Sequence, residues 1–184
     1  RSVKEIKSAV LFSERMKIEN MVLVGANDAW RIADFLSDYE VPVILNRLHR
    51  LPLRKGEDVD IAFKTAKILN DAGVLYCLDY QGDMERMGSR NLPFTAGTSV
   101  AFGLTKEEAL MSITLNTAKI LGINETVGSL EIGKDATLFV SEGDALDMMT
   151  NDISLAFIRG KKLDLTNHQS DLYQKYKAKY AEEN

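Results

Sequence analysis

The stretch "ETVGSLEIGKDATLFV", Glu125 to Val140, decides how the rest of the chain is read. Gly128 and Gly133 free the backbone at its start and at its turn, and Lys134-Asp135 keep the tip solvated. Leu130, Ile132, Leu138 and Val140 alternate, so they can cover one face of a sheet. The reading is a hairpin with strands at Ser129–Ile132 and Ala136–Val140, in which Lys134 and Asp135 are structural. Downstream, Ala156–Ile158 reads as a further strand, joined through Arg159-Gly160 to Lys161-Lys162-Leu163. Leu172, Tyr173, Tyr176 and Tyr180 then mark a last helix, whose tyrosine stripe is expected to pack on the body or on a partner.

Upstream of the hairpin the period changes. Thr98 to Leu121 reads as helical, with a capping box at Thr105-Lys106-Glu107-Glu108 and a stop at Gly122. Before it, helix and strand alternate. An amphipathic helix ends near Lys17, and Met21–Val24 reads as a strand buried on both faces up to Gly25. Asp28 is placed to cap a helix through Leu36, and Val41–Leu45 forms the next strand, with Pro42 near its start. A long polar loop, "NRLHRLPLRKGEDVD", leads into a helix from Asp60 to Gly73, and Val74–Leu78 is the third strand. Short helix-to-strand turns argue for parallel strands with right-handed crossovers.

Composition narrows the function classes. The chain has 184 residues, 45% of them hydrophobic, enough for one good core or for one domain with an appendage. A net charge of -4 and a pI near 5.3 argue against a nucleic-acid surface. The seven Lys and Arg between Arg31 and Lys67 are interspersed with acids and apolar residues. The one cysteine, Cys77, lies in an apolar run, so no intrachain disulfide can form and the thiol reads as packing. No apolar run reaches the ~20 residues of a membrane span, and none has a signal-peptide layout. The expectation is a soluble protein, cytoplasmic or periplasmic, with no nucleic-acid or membrane partner. Because the chain opens at Arg1 inside a helical pattern, it is expected to be a fragment or a processed product.

Four segments in sequence, "GLTKEEALMSITLNTAKILGI", "VGSLEIGKDATLFV", "GDALD" and "ISLAFIRGKKL", resemble the C-terminal part of the amidohydrolase superfamily, particularly the imidazolonepropionase-like proteins. The likeness covers Gly103 to Leu163. In that family a helix leaves a barrel and a Gly-bracketed hairpin builds a small β-sandwich beside it. One departure is Thr117, where the family has Pro at the first helical position; both residues suit that site. The resemblance extends upstream through Leu92-Pro93-Phe94 and Ala96-Gly97. It implies an α/β fold in which the three parallel strands are the sixth, seventh and eighth of a (β/α)8 TIM-type barrel, followed by helices and a small β-sandwich. The implied units are 1–122 from the barrel, 123–168 from the sandwich, and a C-terminal helix at 169–184. Three strands cannot close a barrel, so the implied partner is the remainder of the barrel or a second chain, as in a homo-oligomer.

The resemblance also implies chemistry. The family uses zinc or another divalent metal at the C-terminal ends of the strands to make hydroxide from water, with an Asp after the eighth strand moving the proton. Its ligands include a His-x-His pair on the first strand and histidines after the fifth and sixth. This chain has two histidines, His49 and His168, and Gly25-Ala26-Asn27 stands where a ligand is expected, so no metal ligand is assigned here. In "LDYQGD" the catalytic candidates are Asp79 and Asp83, each of which also reads as a cap or a salt-bridge residue. The candidates for a small-molecule substrate are His49, Arg86 and Arg90. His49 equally reads as a solvated loop residue, and the arginines as neutralising Asp83 and Glu85.

Two functions follow. One is hydrolysis of a non-peptide carbon–nitrogen bond in a small cyclic amide by the complete protein, with this chain inactive alone. The other is a non-catalytic scaffold or binding module of the same fold. A third reading, a small doubly wound α/β domain with a hairpin tail, leaves the long helical run and the sandwich without a purpose.

Overall fold

Ser2 opens the first helix by donating its backbone N–H to the Glu5 carboxylate at 2.7 Å. Helix α1, Val3–Met16, buries Ile6 and Val10 and ends at Lys17, whose φ of 54° is left-handed. The computed structural model describes residues 2–46, 48–81 and 85–181, without the side chains of 85, 86 and 181. Arg47, Asp83 and the Arg86 side chain therefore lie outside the described residues.

Among the described residues, β1 (Leu23–Val24), β2 (Val43–Asn46) and β3 (Tyr76–Asp79) form one parallel sheet in the order β1-β2-β3. A 3₁₀ turn, Ala29–Ile32, and α2, Ala33–Asp38, connect the first two strands; α3, Ile61–Asp71, connects the second and third. These crossovers are what parallel pairing demands. Val43 lies opposite Leu23 and Tyr76, Ile44 opposite Val24 and Cys77, Leu45 opposite Leu78, and Asn46 opposite Asp79. Alternation then sorts the faces. Leu23, Val43, Leu45, Tyr76 and Leu78 pack with Val10, Leu36, Ala66, Leu69 and Ala96 in the core. Val24, Ile44, Asn46, Cys77 and Asp79 point the other way.

Two expectations for the first strand fail. A strand at Met21–Val24 buried on both faces is not what forms: only Leu23–Val24 joins the ladder and Val24 is exposed, because β1 is the edge strand of its sheet among the described residues. Asp28 precedes the 3₁₀ turn without capping it; its carboxylate is taken by Arg54 instead.

After β3 come α4 (Glu85–Gly88), a 3₁₀ turn (Ser89–Asn91), α5 (Leu92–Ala101), α6 (Lys106–Ile113) and α7 (Leu115–Ile120). The helical run starts before Thr98, since Pro93 falls in the first turn of α5, where its missing N–H removes no bond. It is also interrupted twice. The Thr105 capping box is present: Glu108 donates its N–H to the Thr105 hydroxyl at 3.2 Å, and Thr105 donates its own to the Glu108 carboxylate at 2.7 Å. Thr114 precedes α7, so Thr117 stands at the third helical position rather than the first.

The second sheet is antiparallel: β4 (Leu138–Ser141), β5 (Ile153–Ile158) and β6 (Lys161–Lys162), in that order. Arg159 and Gly160, with φ of 49° and 76°, make the turn between β5 and β6. Residues 129–132 are not a strand. Asp135 N–H instead bonds the Thr126 carbonyl at 2.8 Å, closing a compact turn, and among the described residues no strand pairs with Leu130 and Ile132. These two side chains are 83% and 107% exposed. Helix α8, His168–Ala181, carries Leu172, Tyr173, Tyr176 and Tyr180 exposed, so the stripe faces solvent and not the body. No described helix is long and apolar enough to cross a membrane.

Candidate active site

A run of apolar residues ending in Asn, "VILN", and another ending in Asp, "YCLD", lie side by side in register. Parallel pairing therefore sets Asn46 and Asp79 next to each other at the C-terminal ends of β2 and β3, on the face turned away from the core. The Asn46 amide donates to Gln81 Oε1 at 2.7 Å. Asn46 Oδ1 is buried and has no hydrogen-bond partner. Asp79 is half-buried and makes no hydrogen bond or ion pair within the described residues. Asp79 and Gln81 line a concave pocket of 610 Å³ together with Val24, Ile44, Cys77, Thr117 of α7 and Leu121 just after it, among others; Asn46 does not line it.

Cys77 lines this pocket. Burial pushes its thiol up, against a smaller opposing effect of the Thr117 hydroxyl, so it stays protonated and packs. Tyr76, one residue back, faces the core, where desolvation pushes its phenol up as well.

His49 goes elsewhere. Its Nε2 lies 2.8 Å from Thr98 Oγ1, and that hydroxyl donates to the Phe94 carbonyl at 3.0 Å. The hydroxyl has one proton, so the imidazole must donate from Nε2. The ring leans on Phe63, with centroids 5.8 Å apart. His49 lines a second pocket of 330 Å³ with Phe94, Thr98, Lys106, Asp144 and Asp147, which shares no lining residue with the first. Lys106 pairs with Asp144 at 2.5 Å and holds that carboxyl below the usual carboxylate range. Arg90 is exposed on the 3₁₀ turn and lines neither pocket. Of the residues singled out from the sequence, Asp79 alone is placed at the strand ends; Asp83 and the Arg86 side chain lie outside the described residues. Asn46, Gln81 and Thr117 were missed. Only the termination of two apolar runs in polar residues hinted at the first.

A zinc centre draws three or more N, O or S ligands to one point. Among the described residues no three His, Cys, Asp or Glu converge, and the lining of this pocket offers one carboxylate, Asp79, with the Cys77 thiol, the Gln81 amide and the hydroxyls of Tyr80 and Thr117. That donor set does not fit zinc.

The amidohydrolase family model matches residues 52–165, more than half of the chain, and the chain belongs to the amidohydrolase family. It is 66% identical over 35 residues to an imidazolonepropionase of Shewanella putrefaciens, a match covering 19% of this chain and 9% of that protein. It resembles the crystal structure of an amidohydrolase from Thermotoga maritima MSB8 with a TM-score of 0.76 and 28% identity, covering 88% of this chain and 41% of that one. An adenosine deaminase from Xanthomonas campestris, solved with bound zinc, has a TM-score of 0.58 at 17% identity, over 94% of this chain and 47% of that one; at that identity the likeness shows the fold alone. The chain thus spans less than half of each of these relatives. Together they imply a mixed α/β fold of the TIM-barrel type.

Proposed function

We propose that this chain is the C-terminal part of a (β/α)8 metal-dependent-hydrolase-like barrel, with β1, β2 and β3 as its sixth, seventh and eighth strands. On this reading residues 1–122 belong to the barrel, 123–168 to a β-sandwich, and 169–184 to a terminal helix. The complete protein hydrolyses a non-peptide carbon–nitrogen bond in a small cyclic amide. One observation carries the proposal: Asp79 is an unpaired, half-buried carboxylate at the C-terminal end of a parallel strand, over a concave pocket, which is where barrel enzymes keep their chemistry. Asp79 is the proton-handling group, Asp83 is the alternative catalytic residue, and Arg86 and Arg90, which follow β3 in the sequence, are the proposed substrate-binding residues. Zinc or another divalent metal would be held by residues outside this chain. The partner is the rest of the barrel or a second copy, because the outer edge of β1 and the side chains of Leu130 and Ile132 are uncovered.

The test is hydrolysis of a panel of cyclic amides by the intact protein and by Asp79→Asn, with the fold of each checked by circular dichroism. Loss of a positioned acid–base group lowers kcat by about 10²–10⁴-fold. An unchanged kcat in a folded variant would overturn the assignment. A second reading, a non-catalytic binding module of the same fold, is favoured by Gly25-Ala26-Asn27 and by the amide-rich donor set at the strand ends. Saturable ligand binding without turnover of any member of the panel would establish it.

A further inference from the structure

We propose that α8 docks, through its tyrosine stripe, on the Met148–Met149 loop of a second copy of this protein. The inference is independent of the hydrolytic reading. Among the described residues none of α8 is buried, and Leu172, Tyr173, Tyr176 and Tyr180 are exposed along one side. A helix of 14 residues is marginal in water on its own, and most helical stability comes from packing an apolar face. At about 100° per residue, Lys177 and Lys179 fall on either side of the stripe. Both lie close to it: Lys177 Nζ is 5.7 Å from the centre of the Tyr173 ring, and Lys179 Nζ is 5.5 Å from that of Tyr180. Among the described residues neither has a carboxylate partner. What covers α8 is therefore apolar at its centre and acidic at its rim.

The molecule carries such a surface away from α8. Residues 142–152, "EGDALDMMTND", hold four carboxylates and no Lys or Arg. Among the described residues only Asp144 of the four has a cation, Lys106 at 2.5 Å. Met148 and Met149 stand out of this loop, 70% and 91% exposed. The loop is braced from within. The Asp147 carboxylate accepts from the Met149 N–H at 3.2 Å and from the Thr150 hydroxyl at 2.6 Å. Gly143 lies so near Thr150 that a Cβ on it would stand 1.8 Å from the Thr150 carbonyl oxygen. The methionines are thus held in place before a partner arrives, which lowers the ordering cost of binding. Thioether sulfur against aromatic rings is a favourable contact, and Met and Tyr are enriched in interface cores. Two α8 stripes face to face would instead set lysine rim against lysine rim, since Asp171, the one acid of α8, falls on the far side of the helix. The contact is therefore heterologous, the stripe of one copy on the loop of the next.

Sedimentation of the intact protein tests this with two variants altered at exposed positions, the fold of each checked by circular dichroism. Tyr173→Glu with Tyr176→Glu disables the stripe, and Met148→Lys with Met149→Lys disables the loop. The wild type should associate as its concentration rises. Each variant alone should show a dissociation constant raised by at least about tenfold, the cost of losing an anchor at the centre of an interface. An equal mixture of the two should associate again, as a complex of one of each, because it restores one intact stripe and one intact loop. Where a variant does not fold, reversing the rim, Lys177→Glu with Lys179→Glu or Glu142→Lys with Asp152→Lys, should give the same pattern. A mixture that associates no better than its components, a loop variant that self-associates like the wild type, or a wild type that stays monomeric at every concentration overturns the inference.

Discussion

Asp28 shows how far a residue's role depends on what folds against it. Its position before a helix reads as a cap, but Arg54, 26 residues on, takes the carboxylate with both Nη1 and Nη2 at 2.7 Å. Arg54 Nη1 also reaches Glu57 Oε1 at 2.8 Å, and Arg31 bonds the same oxygen at 2.9 Å. The Arg54 guanidinium, helped by Arg31 and by the backbone N–H groups of Leu53 and Arg54, holds the Glu57 carboxyl down to about 2 from an ordinary 4.5. Asp28 is likewise held low by Arg54, against the opposing effect of its own burial. Both carboxylates are depressed, so the stability they contribute is present above their unfolded values and is lost as the pH falls through the folded ones. For Glu57 the loss falls between about 4.5 and about 2. Thermal melts across that window should show the midpoint falling with pH, and the fall should be shallower in Arg54→Gln; parallel curves for the two proteins would disprove the linkage. No local pattern could announce this network, because it joins segments that only the fold of the loop after β2 brings together.

At the scale of elements, α5 and the segment that crosses it meet at close range. Leu146 is buried, and a Cβ at Gly97 would stand 2.1 Å from the Leu146 carbonyl oxygen. Gly97→Ala should gain roughly 1 kcal/mol of helix propensity. The clash with backbone should cost more, about 1–3 kcal/mol as for an overpacked core, so the net effect is destabilising. Urea unfolding settles the sign: a stabilised variant would mean that the 144–148 segment does not hold α5 as described. The elements legible in the sequence were those with internal periodicity and local signals. The Thr105–Glu108 capping box and the Arg159-Gly160 turn are complete within a few residues. Ser129–Ile132 has the alternation of a strand but no strand among the described residues to pair with, and alternation without a partner does not make a ladder.

For the whole molecule the uncovered apolar surface is the main fact. Leu130 and Ile132 stand out from the body, Tyr173, Tyr176 and Tyr180 form a stripe on α8, and β1 is the edge strand of the parallel sheet among the described residues. Scattered exposed side chains are common in proteins, but an exposed strand edge beside apolar turns invites association. Light scattering on the 20.5 kDa chain should give a mass above the monomer, and the pair Leu130→Asp and Ile132→Asp should lower it. A monodisperse, well-folded wild-type monomer would count against the partner proposal.

Periodicity and turn chemistry act over three to ten residues, and over that range the sequence by itself determined this protein: the alternation of helix and parallel strand, the capped helices, the antiparallel unit after Gly122, and the family. Tertiary structure alone decided which polar residues meet. Asn46 and Asp79 are 33 positions apart and become neighbours only because β2 and β3 pair in a register fixed by core packing of Val43, Leu45, Tyr76 and Leu78. His49 was drawn away to Thr98 for the same reason, since a loop residue goes where the packing of the elements around it leaves a donor or an acceptor.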